Sequence, residues 1–123
     1  MILDSGVLIS IDRSEASAQS FLTAVVRSGA ALHTTAPVVA QVWRSSRQAR
    51  LGAFLKTVSI HTLDDGRAVG QLLAQTATSD VVDAHLAICA LRLGHDILTG
   101  DPDDLGKIAA AFGPAAPTVH AWP

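Results

Sequence analysis

Aspartates dominate the chemistry that this sequence could perform. Ten of its eleven acidic residues are Asp, and Glu15 is the only glutamate. Asp4, Asp83 and Asp101 stand out because each ends, enters or follows an apolar segment. Short carboxylates without Cys or His partners suit Mg²⁺ or Mn²⁺. Because such an ion activates a bound water and orients it on a phosphodiester, we expect phosphodiester hydrolysis.

Carboxylates gathered at one site need a counter-charge. Two unpaired carboxylates about 5 Å apart repel by roughly 3 kcal/mol at an effective dielectric of about 20. A strand that ends at Asp4, before Ser5 and Gly6, has no structural need for an acid. Asp83 lies past the first turn of an otherwise apolar helix. We therefore predict that Asp4, Asp83 and Asp101 together bind a metal ion.

The other acids also fit structural roles. Asp80 fits either a helix N-cap or a metal ligand, since Asp83 lies three residues further on the same face. Asp103 and Asp104 are typical of a helix start. Loop or cap positions account for Asp12, Asp64 and Asp65.

Composition indicates a single globular domain over residues 1–123. The chain is 49% apolar and 16% charged, with a net charge of −2. No apolar run reaches the roughly 18 residues that span a bilayer, so we expect a cytoplasmic protein without membrane contact. The single Cys89 excludes an intramolecular disulfide and any multi-cysteine metal site, and its apolar neighbours predict a buried side chain.

Strand-like and helix-like segments alternate along the chain. The predicted strands are 1–4, 31–34, 58–62, 96–99 and 118–120. The predicted helices are 14–28, capped by Ser14; 35–44, resuming after a break up to Lys56; one beginning at Asp64 and Asp65; 81–93; and one from Pro102 to Gly113-Pro114. This order favours an α/β fold with a mainly parallel sheet covered on both faces. Because ligands bind beyond the carboxyl ends of such strands, Asp4 and Asp101 should share one edge.

Four segments resemble PIN-domain ribonucleases, specifically the VapC toxins of toxin–antitoxin pairs. They are LDSGVLI, APVVAQVWR, SDVVDAHLAICALRLG and ILTGDPDDL, in the family's order and spacing over nearly the whole chain. The resemblance implies a three-layer α/β/α sandwich and Mg²⁺- or Mn²⁺-dependent cleavage of RNA. It also implies a homodimer and inhibition by a cognate antitoxin whose tail occupies the active-site groove.

Site residues carry over from this resemblance. Asp4, Asp83 and Asp101 match three family acids, and Asp80 and Asp104 match acidic positions found in part of the family.

Three further positions match residues beside those acids. Ser5 and Thr99 match hydroxyl positions that either hold a carboxylate or water in place or bond only to local backbone. Gln41 stands where the family commonly has Glu. This glutamine is either the natural residue or an engineered change that silences the enzyme. Because an amide lacks the negative charge, we expect weaker metal binding and weaker cleavage than with Glu.

Basic residues cluster in one stretch without acids, at Arg44, Arg47, Arg50 and Lys56. Helical spacing would align Gln41, Arg44, Ser45 and Gln48, which predicts that Arg44 lies beside the metal pocket and contacts an RNA phosphate. Arg47 and Arg50 either extend this phosphate contact into a basic track along the RNA or form a solvated helix face.

Trp43 and the histidines fit structural roles better than functional ones. Trp43 fits the core or a dimer surface, and His85 fits a structural position better than that of a general base. The other histidines show no metal-binding spacing.

Two rival functions stay open. A haloacid-dehalogenase-type phosphoryl-transfer site would need an acid where Gly6 stands. A receiver domain would need paired acids before the end of the first strand and a lysine directly after a late strand, and this sequence has neither. A PIN-like protein that binds antitoxin or RNA with weak or no catalysis, because of Gln41, is the stronger rival.

Overall fold

Helices and strands alternate along the chain, and the computed structural model describes every residue from 1 to 123. The strands are β1 (Ile2–Leu3), β2 (His33–Thr35), β3 (Ser59–His61), β4 (Ile97–Thr99) and β5 (Val119–Ala121). The helices are α1 (Ser5–Asp12), α2 (Ala16–Ser28), α3 (Ala36–Val42), α4 (Ala49–Leu55), α5 (Gly66–Thr76), α6 (Val81–Leu93) and α7 (Pro102–Ala109). A 3₁₀ helix over Ala110–Ala115 follows α7.

The five strands form one sheet in the order β3-β2-β1-β4-β5, and every pairing is parallel. β1 lies in the centre, where Ile2 and Leu3 are fully buried and Leu3 pairs with Leu98 of β4. Helices cover both faces and give a three-layer α/β/α sandwich. The predicted α/β class with a mainly parallel sheet is confirmed.

Helix α6 has the bounds that its sequence predicts. Asp80 is its N-cap, and Gly94 ends it in the left-handed conformation at φ 68°, which glycine adopts without steric cost. All residues from Ala84 to Ala90 are buried. This helix is therefore deeply buried, and the predicted burial of Cys89 is confirmed.

Helix α1 is absent from the sequence-based prediction. Its Val7, Leu8 and Ile11 are buried and lie on one helical face, but the apolar run that contains them also resembles a strand. The helix starts so close to the loop after β4 that a Cβ atom on Gly6 would lie 3.4 Å from the backbone of Gly100.

The predicted start of the next helix needs correction. Ser14 does not cap α2, because it has a positive φ of 53° and the N-cap position belongs to Glu15. Phe21, Leu22 and Val25 pack against the core, but the Val26 side chain is 81% exposed.

Helix α3 ends sooner than predicted. Trp43 is already extended, and the side-chain amide of Gln48 donates to the carbonyl of Val42 at 2.9 Å. The same side chain accepts a hydrogen bond from the amide of Ser45 at 3.0 Å. Because Gln48 satisfies these backbone groups outside a helix, the predicted continuation through Arg44 is wrong.

The last predicted helix divides into two parts. Regular α-helix stops at Ala109 and a 3₁₀ helix continues to Ala115, interrupted at Gly113, whose φ is 60°. Pro114 lacks the amide hydrogen that would continue the helical ladder.

Two apolar clusters form the core. The larger joins β1, β4 and α1 to parts of α2, α3, α4, α6 and α7. The smaller joins α5, α6 and α7 around Val69, Leu72 and Ile88. None of the helices is both long and apolar enough to cross a membrane.

Candidate active site

The carboxyl ends of β1 and β4 place the first two aspartates. The two strands are paired, and the amide of Asp4 donates to the carbonyl of Leu98 at 2.9 Å. Asp101 follows β4 by two residues. Residues almost one hundred positions apart in sequence therefore lie at the same edge of the sheet, as the parallel pattern predicts.

Asp4 is buried and both of its oxygens are hydrogen-bonded. Its side chain is 6% exposed. Oδ1 accepts from the amide of Ser5 at 2.7 Å, which caps α1, and Oδ2 accepts from the hydroxyl of Thr99 at 2.6 Å. The expectation that this acid has no structural task is wrong, because it starts a helix. Ser5 contacts it through the backbone amide and not through the predicted hydroxyl.

Thr99 joins two of the acids. Its hydroxyl donates to Asp4 and accepts from the amide of Asp101 at 2.9 Å. The residue is fully buried in the core of the sheet. A single hydroxyl therefore fixes the side chain of one aspartate and the backbone of the other.

Helix α6 supplies the next two carboxyls. Asp80 is exposed and accepts from the amide of Asp83 at 3.0 Å, so it has the N-cap geometry that we considered. Asp83 is partly buried and lies in the first turn of α6, not beyond it as expected. Burial, the charges of Asp80, Asp4 and Asp101, and a hydrogen bond with Asp80 raise the pKa of Asp83 to about 7.

Helix α7 begins in the same way. Asp101 is its N-cap and accepts from the amide of Asp104 at 3.4 Å. Asp104 is exposed, and a side-chain hydrogen bond with Asp101, followed by that residue's charge, raises its pKa. Asp103 is exposed in the first turn, where a helix-start residue is expected.

These aspartates share one structural device. Asp4, Asp80 and Asp101 are the N-caps of α1, α6 and α7. Helix N-termini carry partial positive charge, which stabilises carboxylates placed there. Three helix starts therefore bring a group of acids to the sheet edge, close enough for three of them to raise the pKa of the fourth, Asp83.

The donor set fits a hard divalent cation that keeps much of its water. No three Asp, Glu, His or Cys side chains form a ready-made cage. Mg²⁺ is usually held by only one or two carboxylates, and waters complete its shell. Burial raises the pKa of Asp83 most and the negative charges of its neighbours raise it further; such a cation would offset those charges.

The predicted basic residues do not lie along one helix. Arg44 lies beyond the end of α3, and its guanidinium donates to the carbonyls of Ala40 at 3.2 Å and Trp43 at 2.9 Å. The predicted helical alignment of Gln41, Arg44, Ser45 and Gln48 is therefore wrong. Arg44 and Arg47 are exposed and make no salt bridge, so both are available to an anion.

Gln41 lies in the last turn of α3 with an exposed side chain. Trp43 is 38% exposed and lies against Gly52 of α4. His85 is buried, and its Nε2 lies 3.2 Å from the carbonyl of Thr62, which fits a structural role.

One residue at this edge was missed. Lys107, one turn after Asp104 on α7, lines a cavity of about 270 Å³ shared with Asp80 and Asp83. The three-residue spacing from Asp104 was the available signal, but only the packing of α7 on α6 brings that face to the acids.

Comparisons with known proteins place the fold. No model of a protein family and no curated protein matches the chain. A chain in the crystal structure of VapBC2 from Rickettsia felis, bound to a DNA fragment from their promoter, superposes with a TM-score of 0.72. The two chains are 16% identical over 99% of this chain and 98% of that one. This protein therefore has the fold of a chain from a VapBC2 complex.

Proposed function

We propose that this protein is a metal-dependent endoribonuclease toxin of the VapC type, a single PIN-like domain neutralised by a cognate antitoxin. The observation that carries the proposal is the convergence of Asp4, Asp80, Asp83 and Asp101 at one sheet edge. The fold shared with a chain from a VapBC2 complex supports it.

Asp4, Asp83 and Asp101 would hold Mg²⁺ or Mn²⁺, in part through the waters that the ion keeps, with Asp80 as a further ligand. When bound, the ion supplies an activated water and stabilises charge on the phosphate oxygens. Asp4 contributes a carboxylate whose direction two hydrogen bonds fix. Asp83 contributes a carboxyl that gives up its proton more readily once positive charge offsets its neighbours.

The remaining site residues would act on the ligands or on the RNA. Thr99 holds Asp4 in place, and Asp104 lies beside Asp101. Arg44 and Arg47 would bind phosphates of the substrate, since neither is paired with an acid.

An apolar groove is the proposed contact for the antitoxin. It lies between α2 and α4, encloses about 760 Å³, and shares no residue with the cavity beside the acids. Val26 lines it and is 81% exposed, and Arg50 lies at the same groove. An apolar segment of a partner would bury this surface. We also propose that the protein forms a homodimer, as its resemblance to VapC toxins implies.

Metal-titrated cleavage of structured RNAs tests the enzymatic function. Asp4→Asn keeps the shape and the acceptor for Ser5 but removes the charge, and should lower cleavage at least about 100-fold. The more severe Asp4→Ala also removes a helix cap, so melting curves should accompany it. Undiminished cleavage by both variants would assign the activity to a contaminating nuclease.

The same experiment with Gln41→Glu addresses the rival, a binding protein with weak or no catalysis. We expect this change to raise both Mn²⁺ affinity and the cleavage rate, because it restores a carboxylate. Gln71→Glu is the matched control, since Gln71 is exposed on α5 and outside every cavity beside the acids. Equal affinities and rates for wild type and Gln41→Glu would contradict the proposed effect of Gln41.

A further inference from the structure

The cavity between the starts of α6 and α7 has its own chemistry. It encloses about 270 Å³. Its lining comprises three carboxyls, two hydroxyls, one ammonium and one apolar side chain, from Asp80, Asp83, Asp104, Thr78, Ser79, Lys107 and Ile108. A site built only to bind a cation would need no ammonium group, because Lys107 repels a metal ion.

Lys107 is the only basic side chain of this cavity, and it is not committed to an acid. It lies near enough to Asp104 to oppose the rise in that residue's pKa. It nevertheless makes no salt bridge, and its side chain is exposed. A lysine ammonium is a compact point charge with three donors, which suits the oxygens of a phosphate.

One hydroxyl that is free to donate lies at the same cavity. The Ser79 side chain is exposed just before the α6 cap. The Thr78 hydroxyl, by contrast, is committed: Thr76 gives its own proton to the carbonyl of Leu72 at 2.9 Å, so Thr78 donates to the Thr76 oxygen at 2.8 Å. Carboxylates only accept hydrogen bonds, so Lys107 and the Ser79 hydroxyl form the side of the cavity that an anion can approach.

We propose that Lys107, with Ser79, binds a backbone phosphate of the RNA next to the phosphate that is cleaved. The inference rests on the proposed ribonuclease function and assigns the α6–α7 side of the site to the substrate. The acids and the phosphate would thereby share one cavity without direct contact between their negative charges.

Binding of a short fluorescent single-stranded RNA in EDTA tests the proposal without turnover. Lys107→Ala should weaken binding about three- to tenfold at low salt and reduce the slope of log K against log salt by about 1. Lys107→Arg should keep most of both. Arg27→Ala is the control, since it also removes one exposed, unpaired cation but on the last turn of α2.

A double-mutant cycle with Asp104→Asn separates substrate binding from neutralisation of a neighbour. If Lys107 binds RNA, Lys107→Ala still weakens binding in the Asp104→Asn background. If it serves only Asp104, the effect disappears there and the proposal is overturned. Equal salt slopes for Lys107→Ala and Arg27→Ala would also overturn it.

The wild-type protein distinguishes a failure of the Lys107 subsite from a failure of the proposed ribonuclease function. Wild-type RNA cleavage combined with an unchanged Lys107→Ala variant removes the subsite and leaves the function standing. Wild type that neither binds nor cleaves RNA removes the proposed function and the subsite together.

Discussion

At the scale of single residues, one hydroxyl connects two acids of the site. Thr99 donates to Asp4 and accepts from the amide of Asp101, so its proton and one lone pair are both in use. Both contacts are short and lie at a fully buried residue. In a water-poor environment each is expensive to leave unmade. The carboxyl and the helix start are therefore linked through one side chain.

Thr99→Val tests this link, because valine keeps the shape and loses the hydroxyl. We expect the free energy of unfolding to fall by about 1–3 kcal/mol, since a buried carboxylate oxygen and an amide lose their partners. Mn²⁺ affinity should fall as well, because Asp4 is no longer fixed. Urea denaturation and calorimetric titration with Mn²⁺ measure the two effects.

Thr34→Val is the matched control for this change. Thr34 is also fully buried, and its hydroxyl donates to the backbone carbonyl of Leu3 at 2.9 Å. It should lose stability without losing Mn²⁺ affinity. A similar loss of affinity in both variants would mean that the effect of Thr99 is only on folding.

At the scale of elements, helices with strong end signals were predictable and those without were not. Asp80 and Gly94 mark α6, and its bounds match the prediction. Helix α1 was missed because its cap is also the acid that we assigned only to metal binding. Asp4 both caps α1 and belongs to the acidic site, and from the sequence we recognised only the second role.

Strand edges also gather three histidines that the sequence leaves apart. Nδ1 of His33 on β2 lies 2.9 Å from Nε2 of His61 on β3. The ring of His95, just before β4, lies 4.6 Å from that of His33 between centroids. Burial lowers the pKa of His33, and the charges of His95, His61 and the terminal amino group of Met1 lower it further.

We predict that this cluster makes the fold sensitive to acid. A lowered pKa in the folded state means that the unfolded chain binds the proton more readily. The stability contributed by neutral His33 therefore begins to be lost when the pH falls below the pKa of histidine in the unfolded chain, about 6.5. The loss continues until the pH reaches the lower pKa of His33 in the folded protein. Melting curves at about pH 7 and about pH 5 should show a smaller difference for His33→Gln than for wild type.

His120→Gln is the control for the acid effect. His120 pairs with Asp96 on the exposed surface and lies outside the cluster. It should leave the contribution of His33 in place. If His33→Gln melts with the wild-type pH dependence, the cluster does not cause the sensitivity.

At the scale of the whole molecule, the parallel sheet separates two surfaces. The acids lie at the carboxyl edge of β1 and β4. The apolar groove lies between α2 and α4. It is also lined by Ala31 and Leu32, which precede β2, and by Ser59 of β3. Under the proposed function, the acid site and the partner surface would be occupied by different parts of one antitoxin.

Val26→Asp tests the partner surface. The side chain is 81% exposed, so stability should change by no more than about 0.5 kcal/mol. Co-purification of a tagged chain with its cognate antitoxin should be lost, since a charge would be buried in an apolar contact. Leu63→Asp, another exposed apolar residue but outside the groove, should retain the partner. Retention by Val26→Asp would place the antitoxin elsewhere.

The sequence alone determined the α/β alternation, the parallel sheet, the bounds of α6 and the meeting of Asp4 with Asp101. These follow from periodicity, end signals and the geometry of parallel strands, which are local or general rules. Only the tertiary structure decided the double role of the aspartates as helix caps, the extended chain after α3 and the place of Lys107 beside Asp80 and Asp83. Those features depend on contacts between elements distant in sequence, whose packing no local pattern specifies.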